Sequence, residues 1–560
     1  MVEAGITLRL SGSSRQRRAG TLTRNAQDDK LAMVSLAQLV KKKMMAKTIK
    51  NSWWQKVSSW IERNEWLVLI LALVVILRIP TLFEPHRYAD EEIYLTLGRG
   101  LRKGLALYRD IHDNKPPLLY LTAMVAGNVF WFRFILMIAN ILNVVVFWKL
   151  AELIFSKSQK GLVRATTVIF GIFSTIPMFE GNIANAENFF ILATTLGVYL
   201  LYRAIKAKEM RPWWEFLAVG VLFVIGFLYK VPVAFDFLGV MLFWWCLARP
   251  KEKIADTLKF LVNPKVWLVI VGFVVPILLS IGYFAKLGVI EPYVRAALLQ
   301  NVGYVSSWRG GSGLILNNPL VWRGLVVIGV WWGLWIWRKK LSQGLMLVGM
   351  WLVFGYYGVL LSSRPYPHYL LEVVPAMSLL LGLVWREKDK LKKIVAGGLI
   401  VLAVGFYWDN SFWYYKTIPY YQNFIKFIIG QKSKEEYFNF WEGVGRNYKV
   451  GKYIKMRTLP DERIFVWGTE PSIYAISDRL PVGKYTVEYH VVDFDAFEET
   501  IEAIEKVPAE IVVMIPGARE FVALEAALMS NSYLFETEIE GVRLYRHVNG
   551  LKHNGVVDQL

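Results

Sequence analysis

The most unusual polar residues of this sequence stand at the ends of apolar runs. Asp90, Glu91 and Glu92 follow one such run, and Asp113 and Lys115 lie just before a double proline in HDNKPPLLY. Ionisable groups next to apolar segments are costly, which makes them functional candidates. A carboxylate can take a proton from a hydroxyl group, and a lysine can hold a phosphate. This set of residue types suits transfer of a group from a phosphorylated lipid to a hydroxyl.

Other ionisable residues stand at the ends of apolar runs in the same way: Arg78, Glu187, Lys230, Arg364 and His368. If the apolar runs pack as a bundle, these groups can converge on one cavity, where the cations would hold a phosphate. Each residue also has an ordinary interpretation. Glu187 can stabilise a helix N-terminus, and Lys230 and Arg364 can anchor helices at the membrane interface. His368 can be an interfacial histidine, and Arg78 can simply extend to the interface.

The three adjacent carboxylates are not equivalent on a helix that begins near Asp90, because successive side chains point about 100° apart. On such a helix Asp90 is the first candidate for a role in catalysis and Glu91 is the second, and we predict that Glu92 is solvated. Asp236 lies within an apolar run and is either the partner of a cation or part of the cavity wall.

Composition identifies a membrane protein. The chain has 560 residues, 55% of them hydrophobic, and its mean hydropathy is +0.36. Many apolar runs reach about 18 residues, the length needed to cross a bilayer. The net charge of +20 comes from short basic loops between these runs, as the positive-inside rule predicts, so it does not indicate nucleic acid. The single cysteine, Cys246, excludes a disulfide within the chain and a cysteine metal site.

The apolar runs predict a polytopic α-helical membrane protein with about eleven spans. The predicted spans are residues 66–84, 133–155, 164–180, 187–203, 213–229, 231–248, 266–285, 319–337, 344–361, 367–385 and 394–408. Alternate connections are basic and should be cytoplasmic. If the apolar stretch 116–132 also crossed the membrane, the later basic loops would lie outside. We therefore predict that it is a helix or re-entrant segment at the outer interface.

The predicted domains are a basic, partly disordered cytoplasmic tail (1–65), a transmembrane domain (66–408) with a first outer loop (85–132), an aromatic connector (409–447) and a small extracytoplasmic α/β domain (448–560). Met33, Met44 and Met45 also leave a later translation start open for the tail. In the last domain, RIFVWG and AEIVVMIP are strand-like, and DAFEETIEAIEKV has helical periodicity. These features predict a multi-pass protein of the cell membrane, with its N-terminus inside and its C-terminal domain outside.

Several motifs occur in a characteristic order: DEEIY at 90–94, YRDIHDNKPPLLY at 108–120, NAENFF at 185–190, GFLYKVP at 226–232, RPYPHYLL at 364–371 and RIFVWGTEPSIYAISDR at 463–479. In this respect the sequence resembles the C-type glycosyltransferases, specifically the bacterial and archaeal relatives of protein O-mannosyltransferases and the lipid A aminoarabinose transferase. The resemblance covers most of the chain from residue 66 onward.

The resemblance implies an inverting transferase that uses a polyprenyl-phosphate sugar on the outer side of the membrane. Asp90 matches the family's aspartate base, and Lys115 matches the lysine of its Lys-Pro-Pro motif. Glu187 matches an acidic position that helps to place acceptor or metal. The aminoarabinose transferases have Glu directly before Lys-Pro-Pro, whereas this chain has Asn114 there and Asp113 one step back. No cofactor is required, and a divalent ion at Asp113 and Glu187 is left open.

We therefore predict a glycosyltransferase in which the site residues divide into three roles. Asp90 is the base; Glu91, Asp113 and Glu187 orient the acceptor or an optional metal; Lys115, Lys230, Arg364, His368 and Arg78 bind the donor phosphate. The expected partners are the lipid-linked sugar, membrane lipids and a glycan, lipid or protein acceptor, with no nucleic acid. The rivals are a lipid-linked-sugar flippase or secondary transporter and a non-catalytic scaffold. Transporters often show two similar halves, which are not evident in this sequence.

Overall fold

The computed structural model describes residues 53–156, 158–207, 210–248, 254–300, 318–530 and 533–548, together with the isolated positions Gln38 and Lys42. The chain divides into two compact units, Met1–Val68 and Leu69–Leu560. Most of residues 1–52 of the predicted cytoplasmic tail and residues 301–317 of the predicted outer loop lie outside the described residues. The fold and the site below belong to the larger unit.

The apolar part of the chain is helical. In chain order its helices are α1 (Glu65–Phe83), α2 (Ala89–Arg102), α3 (Leu118–Ala126), α4 (Val129–Phe155), α5 (Lys160–Phe173), α6 (Ala186–Lys206), α7 (Trp213–Tyr229), α8 (Val233–Leu247), α9 (Ile254–Leu261), α10 (Pro264–Lys286), α11 (Ile290–Val294), α12 (Pro319–Ile336), α13 (Gln343–Val359), α14 (Val374–Arg386) and α15 (Lys390–Asp409). Short 3-10 turns occur at Pro177–Phe179 and Pro367–Glu372, and a π turn at Arg295–Leu299.

Every predicted span coincides with one of these helices. Among the described residues, six helices are long and apolar enough to cross a membrane, namely α1, α4, α6, α10, α12 and α15. Four shorter apolar helices, α7, α8, α13 and α14, occupy other predicted spans, and α5 has 14 residues. The helices confirm a multi-pass membrane protein, whereas the number of spans remains a prediction.

The apolar stretch 116–132 does not form one continuous helix. Helix α3 has nine residues, so it is about 14 Å long, too short for a hydrocarbon core of about 30 Å. It ends at Gly127, whose φ of +80° is readily adopted only by glycine. Helix α4 then starts at Val129, because the Asn128 side chain accepts a hydrogen bond from the backbone N–H of Trp131. The stretch is therefore not a span of its own, in agreement with the charge pattern of the loops.

Helix α13 is the centre of the bundle. Nearly all of its side chains are buried, including Trp351, and it packs against α8, α12 and α14. A helix that is apolar on all sides is expected in such a central position. Helices α10 and α12 instead leave most of their apolar side chains partly or fully exposed, as helices facing lipid would.

A second, aromatic core lies beneath the first outer loop. Tyr94 of α2 contacts Tyr120 of α3, and Tyr108 contacts both Tyr120 and Phe284 of α10. The edge-on geometry of these pairs is the arrangement that aromatic rings favour. This core holds α2, α3 and the segment between them in one position. It thereby fixes the backbone that carries Asp90, Asp113 and Lys115.

The predicted aromatic connector forms helices α16 (Thr417–Ile428) and α17 (Lys434–Phe438). Tyr421 of α16 donates a hydrogen bond to the carbonyl oxygen of Leu77, at 3.0 Å. Tyr420 donates to the carboxylate of Glu84. The connector is therefore bound to the end of the first apolar helix.

The C-terminal region forms the predicted α/β domain. Its elements are α18 (Val444–Arg457), β1 (Ile464–Trp467), α19 (Ser472–Ser477), α20 (Glu488–Asp493), α21 (Phe497–Lys506), β2 (Ile511–Met514), α22 (Val522–Ser530), β3 (Tyr533–Ile539) and β4 (Val542–His547). The strand order is β1-β2-β4-β3, with β1 and β2 parallel and the other pairs antiparallel. The two parallel strands are fully buried, because helices cover both faces of the sheet there.

Candidate functional site

Helix α2 places Asp90 in its first turn, where a negative charge is favourable. The half-buried Asp90 carboxylate accepts a hydrogen bond from the hydroxyl of Tyr94, at 3.1 Å from Oδ2. Asp90 and Tyr94 are four residues apart, so they share one face of the helix. The tyrosine thereby fixes the direction of the carboxylate.

Lys115 lies against the ring of the same tyrosine. Its Nζ is 5.1 Å from the centroid of the Tyr94 ring, within the range of a cation–π interaction. Two further tyrosines fix the backbone of Lys115: Tyr108 donates to its carbonyl oxygen at 2.9 Å, and its N–H donates to Tyr120 Oη at 3.1 Å. Asp90 and Lys115 are 25 positions apart in the sequence, yet both contact Tyr94.

Asp113 is buried beside Lys115. Its Oδ2 is 3.5 Å from Lys115 Nζ, and its Oδ1 is 3.6 Å from His490 Nε2. Burial raises the pKa of Asp113, but Lys115, His490 and hydrogen bonds from the Asn114 N–H and Tyr120 together outweigh this effect and hold the pKa below its usual value. Burial lowers the pKa of His490 to about 4, so this ring is neutral near pH 7 and the lysine carries the local positive charge. We call Asp90, Tyr94, Lys115, Asp113 and His490 the Asp90 cluster.

The C-terminal domain takes part in this cluster. Helix α20 supplies His490, and the same helix carries Asp493, whose Oδ2 is 3.4 Å from the guanidinium of Arg364. In addition, the N–H of His112 donates to the carbonyl oxygen of Lys484 at 2.9 Å. Sequence reasoning did not predict His490, because nothing around it in EYHVVD distinguishes it from a surface histidine.

Glu187 and Lys230 form a second pair. Glu187 is in the first turn of α6 and is bound by Lys230, which follows α7. Lys230 Nζ is also 3.7 Å from the centroid of the Tyr369 ring. The two predicted site residues therefore lie together. Glu187 lies at a helix N-terminus and also neutralises the charge of Lys230. Its interpretation as a helix-stabilising residue and its interpretation as a site residue are therefore both consistent with the structure.

His368 lies near both groups of residues. Its Nδ1 bonds to the carboxylate of Glu180, and Tyr88 Oη is 3.4 Å away. Tyr88 Oη is in turn 3.5 Å from Asn185 Nδ2, and Asn185 Oδ1 is 3.4 Å from Tyr94 Oη. A chain of polar contacts thus connects Glu180 with the Asp90 cluster.

Glu91 and Glu92 do not face the Asp90 cluster. Glu91 is fully buried, and its carboxylate binds Arg133 at 2.6 Å and the backbone N–H of Ala184 at 2.6 Å. The expectation that Glu92 is solvated was wrong: it is buried and bonds to His86 at 2.7 Å. The reason is that the helix turns both side chains towards the protein interior. The structure therefore separates Glu91 from the acceptor role that we predicted for it.

Arg78 supports the backbone of the second outer turn, and its predicted role in binding a donor phosphate stays a prediction. It is fully buried, and its guanidinium donates to the carbonyl oxygens of Ser174 and Gly181, at 3.1 and 2.7 Å. It therefore supports the turn that carries Glu180. Asp236 accepts a hydrogen bond from the indole of Trp351 at 2.9 Å, and it interacts with Glu372 rather than with a cation.

A buried ion network beside Glu91 was also missed by sequence reasoning. Glu84 is 4% exposed and interacts with Arg87, Arg133, Asn182 and Tyr420. Arg133 lies inside a predicted span, so the rule that intramembrane charges are functional or paired could have identified it. Nothing in the sequence indicates which residues are its partners.

The carboxylates proposed for a metal are each next to a lysine. Asp113 faces Lys115, and Glu187 faces Lys230. In the described part of the chain, no three His, Cys, Asp or Glu side chains gather in a way that could hold a metal ion. A divalent cation needs several oxygen ligands, and this arrangement instead supplies positive charge from lysine.

The protein can now be compared with known proteins. Residues 115–280 match the family model described as dolichyl-phosphate-mannose-protein mannosyltransferase. This range includes Lys115, Glu187 and Lys230. No curated protein matches the sequence.

Among solved structures, the chain is similar to ArnT from Cupriavidus metallidurans. The crystal structure of ArnT bound to undecaprenyl phosphate aligns with a TM-score of 0.54 and 14% identity, over 86% of this chain and 98% of that one. The apo structure of the same protein aligns with a TM-score of 0.50 and 14% identity, over 88% and 99%. At this identity the comparison establishes the fold alone.

Proposed function

We propose that this chain is a C-type membrane glycosyltransferase that transfers a sugar from a polyprenyl-phosphate donor to a hydroxyl acceptor, an interpretation that the family-model match and the fold support. One observation carries the proposal: the Asp90 carboxylate and the Lys115 ammonium both contact Tyr94, the first at 3.1 Å from its hydroxyl and the second at 5.1 Å from its ring centroid. A base and a cation in one small site are what a displacement at a phosphate-linked carbon requires.

The reaction is a direct displacement that inverts the anomeric carbon. The acceptor oxygen forms a bond to C1 of the donor sugar while the bond between C1 and the phosphate oxygen breaks. Asp90 takes the acceptor proton, and the electron pair leaves with the polyprenyl phosphate. Because the phosphate is a good leaving group, the site needs cations more than it needs a strong general acid.

Lys115 and Lys230 are the main candidates for binding the donor phosphate, with Arg364 and His368 as further candidates. The two lysines are held by Asp113 and Glu187, so both are in place before a donor arrives. An ammonium group has three donors, which allows each lysine to keep its carboxylate and also bind a phosphate oxygen. The ArnT structure that contains undecaprenyl phosphate supports a donor of this chemical class. No cofactor enters this scheme.

The reaction belongs on the outer side of the membrane in this proposal. The positive-inside rule assigns the basic loops to the cytoplasm, and the loops that carry Asp90, Lys115, Lys230 and His368 are the alternate ones. The C-terminal domain contributes His490 to the site, so it lies on the same side.

The proposal can be tested by donor turnover in proteoliposomes. Purified protein would be reconstituted with radiolabelled polyprenyl-phosphate mannose, glucose or aminoarabinose in turn, together with a membrane extract as the source of acceptor. Release of free polyprenyl phosphate with one of the donors is the expected result. Movement of intact donor between leaflets without release would instead identify a flippase and overturn the proposal.

A further inference from the structure

A cavity of about 360 Å³ opens beside the chain of contacts that connects Glu180 with the Asp90 cluster. The second outer turn supplies Glu180 and Asn182 to its wall, and the connector supplies Tyr415, Phe440 and Trp441. Its volume is within the range of small-molecule sites. None of the roles assigned above to the site residues uses this cavity.

The aromatic wall consists of rings that remain accessible. Tyr415 is 42% exposed and Phe440 is 39% exposed, while Trp441 is half-buried and has the guanidinium of Arg87 5.2 Å from its ring centroid. Exposed aromatic rings at a membrane interface often serve as lipid anchors. Here, however, the rings share a concave space with a carboxylate and a carboxamide, which a lipid anchor does not require.

The polar wall is built at an energetic cost. Glu180 is 2% exposed, and its backbone has a φ of +56°, a left-handed conformation that is uncommon for a residue other than glycine. Its carboxylate is held by His368, Tyr88 and Tyr415. A buried carboxylate in an unfavourable backbone conformation is unusual in a merely structural turn and is typical of a binding site.

The cavity adjoins the proposed reaction centre. Tyr88 interacts with Glu180 and Tyr415 at the cavity and also lies close to Asp90. The contacts from Tyr88 through Asn185 to Tyr94 are each 3.4–3.5 Å. A ligand in the cavity is therefore separated from the Asp90 cluster by one layer of side chains.

We propose that this cavity binds the saccharide end of a glycan acceptor. A pyranose ring has an apolar C–H face that packs on aromatic rings, and hydroxyls that donate to a carboxylate and exchange hydrogen bonds with a carboxamide. Tyr415 and Trp441 would pack on the ring face, and Glu180 and Asn182 would bind the hydroxyls. An acyl chain would not use the carboxylate. The inference rests on the proposed function and names the acceptor class for it.

In this arrangement the cavity holds one saccharide unit, and the reacting hydroxyl belongs to the part of the same glycan that extends past Tyr88 to Asp90. The acceptor oxygen bonds to C1 of the donor sugar, the C1–phosphate bond breaks, Asp90 takes the proton and the lipid phosphate leaves with the electron pair. Glu180 and Trp441 act by positioning the acceptor and take no part in proton transfer.

The test separates acceptor binding from donor turnover. Saturation-transfer NMR would measure binding of methyl α-mannoside, methyl β-galactoside and methyl β-N-acetylglucosaminide to the protein in nanodiscs without donor. We expect at least one glycoside to bind, and Trp441→Leu to weaken that binding about tenfold, because it removes the ring on which the saccharide packs. Trp408→Leu is the matched control, since Trp408 is 75% exposed and does not line the cavity.

Tyr415→Phe provides a second variant in case Trp441→Leu does not fold, because it removes only the hydroxyl that contacts Glu180. We expect it to weaken the same glycoside severalfold. Equal binding by wild type and both variants, or binding of none of the three glycosides, would overturn the inference. Transfer to a serine- and threonine-rich peptide that is unaffected by the variants would overturn it as well. Donor release is scored separately, so glycoside binding without release of polyprenyl phosphate would reject the proposed function and keep this saccharide site.

Discussion

Asp90 and Glu91 are neighbours at the start of helix α2, and their carboxylates lie in different surroundings. Asp90 is half-buried and accepts one hydrogen bond, from a tyrosine. Glu91 is fully buried and is bound by the Arg133 guanidinium and a backbone N–H. A carboxylate that is fully engaged in an ion pair is a poor base, whereas one with open coordination can receive a proton. Two adjacent carboxylates of one helix therefore differ in availability: Asp90 is open to a ligand, and Glu91 is committed to the protein interior.

The same contrast holds for the cations. Lys115 contacts an aromatic ring and lies 3.5 Å from Asp113, and its side chain is 21% exposed. Arg133 is 1% exposed and binds Glu91 together with the carbonyl oxygens of Thr81 and Glu84. Removing only one partner of a buried ion pair such as Arg133–Glu91 strongly destabilises the folded protein.

Asp90→Asn should have the largest effect on activity. Loss of a general base typically costs about 10²–10⁴-fold in rate, and asparagine keeps the size of the side chain and can still accept from Tyr94. We expect turnover of the polyprenyl-phosphate sugar to be lost while donor binding and the melting temperature are retained. Undiminished turnover would mean that Asp90 is not the base.

Glu91→Gln should show the opposite pattern. It removes the closer of the two carboxylates that face the buried Arg133, leaving only Glu84 at 3.9 Å, and loss of a buried charge partner costs up to about 3–5 kcal/mol of folding free energy. We expect a lower melting temperature in nanodiscs and a loss of activity that follows the loss of folded protein. The double variant Glu91→Leu/Arg133→Leu should regain much of the stability, because it buries no unpaired charge. If the Glu91→Gln variant were stable but inactive, Glu91 would have a role in the reaction, as proposed for Asp90, and not a structural role.

Lys115→Gln should have a smaller, selective effect. Hydrogen bonds to charged groups contribute about 1.5–3 kcal/mol, which corresponds to about ten- to a hundredfold in affinity. We expect the KM for the lipid-linked donor to rise, or kcat to fall, by this factor. Lys103→Gln is the matched control, since Lys103 lies in the same loop, is half exposed and binds Asp461. Equal kinetics of the two variants would contradict the role of Lys115.

Acidification should have the smallest effect and should act through the C-terminal domain. Burial lowers the pKa of His490 to about 4 from its usual 6.5. Between these values the unfolded chain binds more protons than the folded one, so stability falls as the pH decreases from 6.5 towards 4. At pH 5.5 the expected loss is about 1 kcal/mol. Burial also lowers the pKa of His112 to about 4.

The measurement is the difference in melting temperature between pH 7.5 and pH 5.5. The variant His490→Gln should show a smaller difference than wild type, because glutamine does not titrate. Asp113 faces His490, and because its pKa is held below its usual value it stays charged throughout this interval. An unchanged pH dependence in the variant would show that His490 protonates freely in the folded protein.

Much of the fold could be predicted from the sequence. Length and hydropathy located the apolar helices, since a membrane accepts few alternatives to a long apolar helix. The small α/β domain followed from short apolar strand-like runs and one amphipathic helix. Helix boundaries were less accurate: 164–180 became Lys160–Phe173 and a 3-10 turn, and 367–385 became a 3-10 turn followed by Val374–Arg386. In both cases a proline lies at the start of the 3-10 turn, where its missing N–H is tolerated.

Hydropathy and local charge are properties of short segments, so they are enough to predict a multi-pass membrane protein with ionisable residues at the ends of its helices. Which of those residues contact one another depends on the tertiary structure. Glu91 and Arg133 are 42 positions apart, and His490 comes from a different domain to reach Asp113. Such pairings depend on how helices pack and rotate, and a single helical step of about 100° was enough to assign Asp90 to the site and Glu91 to the interior.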